Sequence, residues 1–135
     1  MDPRHIKRIK IVQNLFAFSF RHKAAPDFKK LLSKLPFPEE TKTHKIIAKL
    51  DSLDQLIKKY APRYPLNNIA KTDLSILRMS VYELIYERKT PQKVAVNEAV
   101  ELAKELSGEN SFAFINAVLG KILNQLPKLN KNAKS

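Results

Sequence analysis

The sequence predicts an all-α protein, a single domain of about six helices joined by short connections. Three observations carry this. Apolar residues recur at helical spacing along most of the chain. There are two glycines, and alternation of apolar and polar residues is nowhere sustained, which argues against strands. Prolines fall between the periodic segments, where they punctuate rather than interrupt. The 135 residues suffice to bury a core without metal or disulfide staples. No cysteine is present, which excludes disulfides, thiol nucleophiles and cysteine zinc sites.

The first helix is expected over residues 3–22, with Asp2 as cap and Pro3 in the first turn. Ile6, Ile9, Gln13, Phe16 and Phe20, with Val12 beside them, form its expected inner stripe. Residues 24–38 read as a turn and a short helix that places Phe28, Leu31, Leu32 and Leu35 against the core. A third helix is expected over residues 39–60, with Ile46, Ile47, Leu50, Leu53, Leu56, Ile57 and Tyr60 on one face, ended by Pro62 and Pro65.

The fourth helix is expected over residues 66–88, with Leu74, Leu77, Val81, Leu84 and Ile85 inward and Arg78 and Tyr82 on the flank. Pro91 opens the fifth, with Thr90 as a candidate cap, and Gly108 is placed to close it in a left-handed conformation. The sixth covers residues 111–126, with Phe112, Ile115, Leu119, Ile122, Leu123 and Leu126 on one face. On that wheel Phe114 points away from the stripe, while Asn116 falls close to it. The domain is expected to end at residue 127, leaving 128–135 as a basic, disordered tail.

The net charge of +12 is unevenly spread. Residues 1–35 carry nine Lys/Arg against two acids, whereas residues 71–106 carry six of each. Cations in the first turns of a helix oppose its dipole, so Arg4, His5, Lys7 and Arg8 suit phosphate contact better than helix stability. A solvated face screened by salt is the alternative. Phe114, if exposed, offers a stacking surface for an unpaired base; it could instead cover a second bundle contact.

The sequence asks for no enzyme, cofactor or metal. His5, His22 and His44 are scattered, and no glycine-rich phosphate loop is present. Glu98, Glu101 and Glu105 space like a solvated helix face. There is neither a membrane-spanning apolar run nor a secretory signal pattern, so a cytoplasmic protein is expected.

Three segments then resemble one family. They are ILR at residues 76–78 with VYEL at 81–84, PQKVAVNEAVELAK at 91–104, and FINAVLG at 114–120. In this order and spacing they resemble the NusB family of transcription antitermination factors. The resemblance implies two packed helical bundles of six to seven helices. It implies a non-enzymatic factor that binds boxA-type single-stranded RNA of ribosomal RNA leader transcripts together with NusE, a small-subunit ribosomal protein. The pair would join RNA polymerase with other Nus factors and suppress premature termination. The free protein would be a monomer or homodimer.

Carried over by resemblance, RNA contacts fall on Arg4, His5, Lys7, Arg8, Asn110 and Phe114. NusE contacts fall on Phe16, Asn67 and Asp73. Arg78, Asn97, Glu98 and Asn116 recur in the motifs and are assigned structural roles, the two asparagines as buried amides bonding across helices.

Two departures stand out. The first helix has fewer arginines than the family pattern, and lysine lacks the bidentate fork. The family's Asn-Gly pair is Asn116 with Ala117 here. An adaptor that binds proteins without specific RNA readout is the rival reading.

Overall fold

The computed structural model describes residues 2–20, 27–61, 65–108 and 110–127. The expected tail, His22 and Pro62 lie outside the described residues. Seven α-helices follow in order: α1 (Pro3–Phe18), α2 (Phe28–Ser33), α3 (Lys42–Ala48), α4 (Leu50–Tyr60), α5 (Lys71–Tyr82), α6 (Gln92–Leu106) and α7 (Ser111–Asn124). A 3₁₀ turn (Leu66–Asn68) precedes α5, and a π turn (Glu83–Glu87) extends it.

Helix α5 is the axis. Every residue from Asp73 to Ile85 is buried. A helix apolar on one stripe needs one neighbour; a helix buried all round needs them on every side. Accordingly α1, α3, α4, α6 and α7 all contact α5, with α1 also packed on α3, and α7 on α4 and α6. Two bundles thus share one central helix. Ile76, Leu77, Met79 and Val81 are fully sealed from solvent there. Each such side chain contributes about 1.5–3 kcal/mol by leaving water.

The inner face of α1 is rotated by about 140° from the expected stripe, at 100° per residue. Ile11, Val12, Leu15 and Phe18 are buried, while Ile6 and Phe16 are each 39% exposed and Phe20 is 60% exposed. The helix is apolar on two faces, and periodicity alone chose the wrong one. The buried face also holds Arg8 and Asn14, because both find partners inside. Asn14 Nδ2 donates to the Phe37 carbonyl at 2.8 Å and to Thr43 Oγ1 at 2.9 Å, and its Oδ1 accepts from the Phe37 amide at 2.8 Å. This amide fixes α1 to the segment entering α3.

The expected third helix is two helices. Lys49, at φ −108° and ψ 14°, interrupts it. The apolar stripe stays nearly in phase across the break, so spacing could not reveal it. The expected fourth helix starts at Lys71 instead of Leu66, because Ile69 and Ala70 are extended. It ends in the π turn, where the Arg88 amide donates to the Glu83 carbonyl at 2.8 Å and Arg88 turns left-handed at φ 56°. Thr90 does not cap α6; Pro91 occupies the cap position without a side-chain bond. Gly108 has no positive φ, so α6 does not close through a left-handed glycine.

On α7, Phe112 is 38% exposed with the Lys104 ammonium 5.4 Å from its ring centroid, while Phe114 is half-buried against the core. The expected order of these two rings is reversed. Asn97 and Asn116 are exposed, so the expectation of buried amides is corrected. Each sits on the outer face of a helix whose inner face is already filled by Ala99, Leu102, Ile115 and Leu119. Ala117 is also exposed, so its methyl in place of the family glycine meets solvent. Asn97→Ala and Asn116→Ala are therefore expected to shift unfolding stability by no more than about 0.5 kcal/mol each, measured by urea denaturation.

Arg78 is 5% exposed and clamps α5 to α4. Its Nε and Nη2 donate to the two Asp54 carboxylate oxygens, each at 2.9 Å. Among the described residues, no helix is long and apolar enough to cross a membrane.

Candidate nucleic-acid interface

The four cations at the start of α1 separate into two pairs. Asp2 Oδ1 accepts from the Arg4 amide at 2.9 Å and starts the helix, with Pro3 in the first turn. Arg4 then projects outward, its side chain 84% exposed, and Lys7 lies one turn on, 56% exposed. Their nearest carboxylates are Asp2 at 3.5 Å and Glu40 at 3.9 Å, both contacts screened by solvent. These two side chains are available to a phosphate.

Arg8 and His5, assigned to RNA with them by resemblance, are engaged with carboxylates inside the protein. Arg8 lies three, four and seven residues before Ile11, Val12 and Leu15, so the helix carries it inward with them. Its Nη2 donates to Glu83 Oε1 at 2.8 Å and to Thr90 Oγ1 at 3.3 Å. Burial disfavours the guanidinium charge, but the hydrogen bonds and charge of Glu83, with Glu98 and Glu87 beyond, more than offset that and hold its pKa above the ordinary value. Glu83 is 1% exposed and also faces Lys42 Nζ at 3.4 Å. Lys42 reaches Glu87 at 3.0 Å as well. The π turn thus presents two carboxylates to cations from α1 and α3.

His5 lies between two carboxylates of α6. Nδ1 is 2.9 Å from Glu98 Oε2, and Nε2 is 3.0 Å from Glu105 Oε1. Both nitrogens donate only in the imidazolium form. Glu98, then Glu105, raise the His5 pKa above its ordinary value. The residues assigned singly to RNA and to structure therefore form one junction between α1 and α6. A raised folded pKa stabilises the protein fully below the unfolded value of about 6.5, and that contribution is lost as pH rises through the higher folded value. The urea midpoint of the wild type is expected to fall over that interval, and His5→Gln is expected to flatten the fall. Equal pH profiles for the two proteins would contradict the arrangement.

A second region lies at the start of α7. Asn68, Ile69, Ala70, Asp73, Gly108, Asn110, Ser111 and Phe114 surround an open hollow of about 410 Å³. Asp73, Asn110 and Phe114 therefore meet in one place, although the resemblance divides them between NusE and RNA. Asp73 is 7% exposed, and its Oδ2 accepts from Ser111 Oγ at 3.0 Å. Asp73, assigned to NusE by resemblance, stands at position N3 of α5 and points into the junction with α7.

The third region is the outer apolar face of α1. Phe16 and Phe20 meet edge to face with centroids 5.1 Å apart, and Lys71 Nζ sits 5.1 Å from the Phe20 ring centroid. Asn67 is exposed on the 3₁₀ turn. Sequence reasoning missed Glu83, Lys42 and Asn14. Glu83 lies within the VYEL motif, and an acid inside an otherwise apolar run was the signal that could have found it.

Fold and surface together define a small all-α protein with a basic helix start, an aromatic hollow and a separate apolar helix face. The chain belongs to the NusB family, whose sequence profile matches residues 5–124. A transcription antitermination protein NusB of Dehalococcoides mccartyi is 38% identical over 107 residues, which span 75% of each chain. Another, from Clostridium tetani, is 50% identical over 74 residues, covering 55% of this chain and 48% of that protein. Among solved structures, T. maritima NusB covers 97% of this chain and 98% of its own at a TM-score of 0.77 and 28% identity. A crystal structure of antitermination factors NusB and NusE in complex with dsRNA covers 91% of this chain and 98% of that one, with a TM-score of 0.68 at 20% identity, a likeness of fold.

Proposed function

We propose that this protein is a cytoplasmic, non-enzymatic transcription antitermination factor. It binds boxA-type single-stranded RNA of ribosomal RNA leader transcripts jointly with NusE. The pair then joins RNA polymerase with other Nus factors. The observation that carries this reading is the pair of outward cations, Arg4 and Lys7, at a helix start where stability alone would favour acids. Phe114 and Asn110 at the hollow supply stacking and hydrogen bonding to bases. The exposed Ile6 and Phe16 of α1 and Phe20 in the turn after it, with Asn67 near the entry to α5, supply a surface for the protein partner.

Fluorescence anisotropy with boxA-like and scrambled RNA, with and without NusE, tests it. The expected result is tighter binding of boxA-like RNA by the pair, weakening steeply with salt. A second reading is an adaptor that binds NusE without specific RNA readout. It is favoured by the removal of His5 and Arg8 into internal ion pairs. Binding of NusE with equal affinity for boxA-like and scrambled RNA selects the adaptor.

A further inference from the structure

His5 joins α1 to α6 beside the outward cations. It stands between Arg4 and Lys7 in the first turns of α1, within the stretch that carries the phosphate contacts. Both edges of its ring are held by α6. Nδ1 lies 2.9 Å from Glu98 Oε2, and Nε2 lies 3.0 and 3.1 Å from the two oxygens of Glu105. These are anionic oxygen acceptors, the same chemistry that a phosphate brings to a cation.

The two carboxylates are not equivalent. Glu98 is 28% exposed and is also approached by Arg8 Nη1 at 3.9 Å, so a second cation keeps it in place. Glu105 is 45% exposed, and among the described residues His5 is the only ion-pair partner of its side chain. An ion pair this exposed holds weakly, since solvent screens it and a long side chain must give up its freedom to form it. Glu105 therefore swings into solvent at little cost, whereas Glu98 would also have to leave Arg8. The departure of Glu105 leaves Nε2 open to another anionic oxygen. Glu105 also stands at the end of α6, one residue before Leu106, and the chain then runs into Gly108 and Asn110, which line the hollow. It lies between the cations of α1 and the stacking surface of α7, where an RNA strand touching both would pass.

Resting on the RNA-binding reading above, we propose that Glu105 is an internal competitor of RNA: it covers His5 in the free protein, and an RNA phosphate displaces it to accept the hydrogen bond from Nε2. The exchange replaces one anion with another. It requires the imidazolium form, because a neutral ring that donates from Nδ1 to Glu98 presents Nε2 as an acceptor, which repels a phosphate oxygen. The charged groups that face the ring, among the described residues, are Glu98 and Glu105 of α6, with Arg8 of its own helix beyond Glu98. Glu98, then Glu105, hold the His5 pKa above its ordinary value. RNA affinity is therefore full below that folded value and falls as pH rises through it. The pairing of His5 inside the protein restrains RNA binding and does not abolish it.

The test follows labelled boxA-like RNA binding to the complex with NusE by anisotropy. It compares wild type, Glu105→Gln, Glu101→Gln, His5→Gln, and His5→Gln combined with Glu105→Gln. Glutamine keeps the shape and an acceptor oxygen but removes the competing charge. Glu105→Gln is expected to bind RNA about three- to fivefold more tightly than wild type. Glu101→Gln is the charge control, because it removes the same charge from α6 at an exposed residue paired with Lys104 and not with His5. Its gain is expected to stay below about twofold, since exposed charges act through screening solvent. In the His5→Gln background, the gain from Glu105→Gln is expected to shrink to the size of that control. Wild-type affinity is expected to fall between about pH 6 and pH 8, and His5→Gln to remove most of the fall. Equal gains from Glu105→Gln and Glu101→Gln, or a Glu105→Gln gain that survives His5→Gln, overturn the competition and leave RNA binding standing. Failure of wild type to bind boxA-like or scrambled RNA at any of these pH values overturns the RNA reading and the competition with it.

Discussion

Arg8→Glu is expected to unfold the protein, not to yield a folded one that has lost RNA. The replacement would set a third carboxylate beside Glu83 and Glu98, which the wild-type guanidinium approaches at 2.8 and 3.9 Å. Glu83 is sealed from solvent and would keep, among the described residues, Lys42 at 3.4 Å. Removing one partner of a buried ion pair costs about 3–5 kcal/mol, because the other charge stays buried and uncompensated. Adding a like charge costs more. Total stability for a domain of this kind is about 5–15 kcal/mol, so the loss is a large share of it. Arg8→Ala is the milder variant and should lower the stability by about 3–5 kcal/mol. Urea unfolding followed by far-ultraviolet circular dichroism measures both. A wild-type midpoint for Arg8→Ala would mean that the pair with Glu83 does not hold α1 against the π turn.

Arg4→Gln combined with Lys7→Gln is expected to do the opposite, sparing the fold and weakening RNA. Both side chains are mostly exposed, and neither makes a close buried pair. Their unfolding midpoint should match wild type within the scatter of surface substitutions, about 0.5 kcal/mol. Each phosphate contact to a single strand contributes about 0.7 to the slope of log affinity against log salt. Two lost contacts should therefore flatten that slope by about 1.4. Affinity at low salt should fall by roughly tenfold or more, in a sequence-independent way. Anisotropy titrations at several salt concentrations measure this. An unchanged slope would place the phosphate path elsewhere on the protein.

The contrast between these two outcomes comes from one turn of one helix. Arg4, Lys7 and Arg8 are chemically alike in the sequence, and all were read as phosphate ligands. Helical phase separates them, and phase could not be read because α1 has apolar residues on both faces. The face with Phe16 and Phe20 looked like the core, being aromatic. The buried face contains Arg8 and Asn14, which lower its apparent hydrophobicity and conceal it. Their burial depends on partners distant in the chain: Glu83 and Thr90 for one, Phe37 and Thr43 for the other. Asp73 was assigned to NusE by resemblance, and its burial was not legible in the sequence for a related reason. Its neighbours in sequence show a helix start, but Ser111, which accounts for its position, lies on another helix. The two asparagines erred in the other direction. Their place within motifs suggested a packing role, yet the helix faces they occupy are turned to solvent.

The sequence by itself determined that the protein is all-helical, which segments form the core, and which family it belongs to. Those properties follow from local periodicity, from turn residues and from motifs contiguous in the chain. The stripe of α5, Leu74, Leu77, Val81, Leu84 and Ile85, is an example: spacing alone puts it inside, whereas the burial of Asp73, Ser75, Arg78, Ser80 and Glu83 between its members depends on the helices packed around them. Only the tertiary structure decided which of several equivalent charges face outward, and that Asp73, Asn110 and Phe114 share one hollow. A charge is buried or free according to what the opposite helix offers it. That information is carried by pairs such as Arg8 with Glu83 and His5 with Glu98, which are far apart in the chain and meet only when α1 packs across α5 and α6.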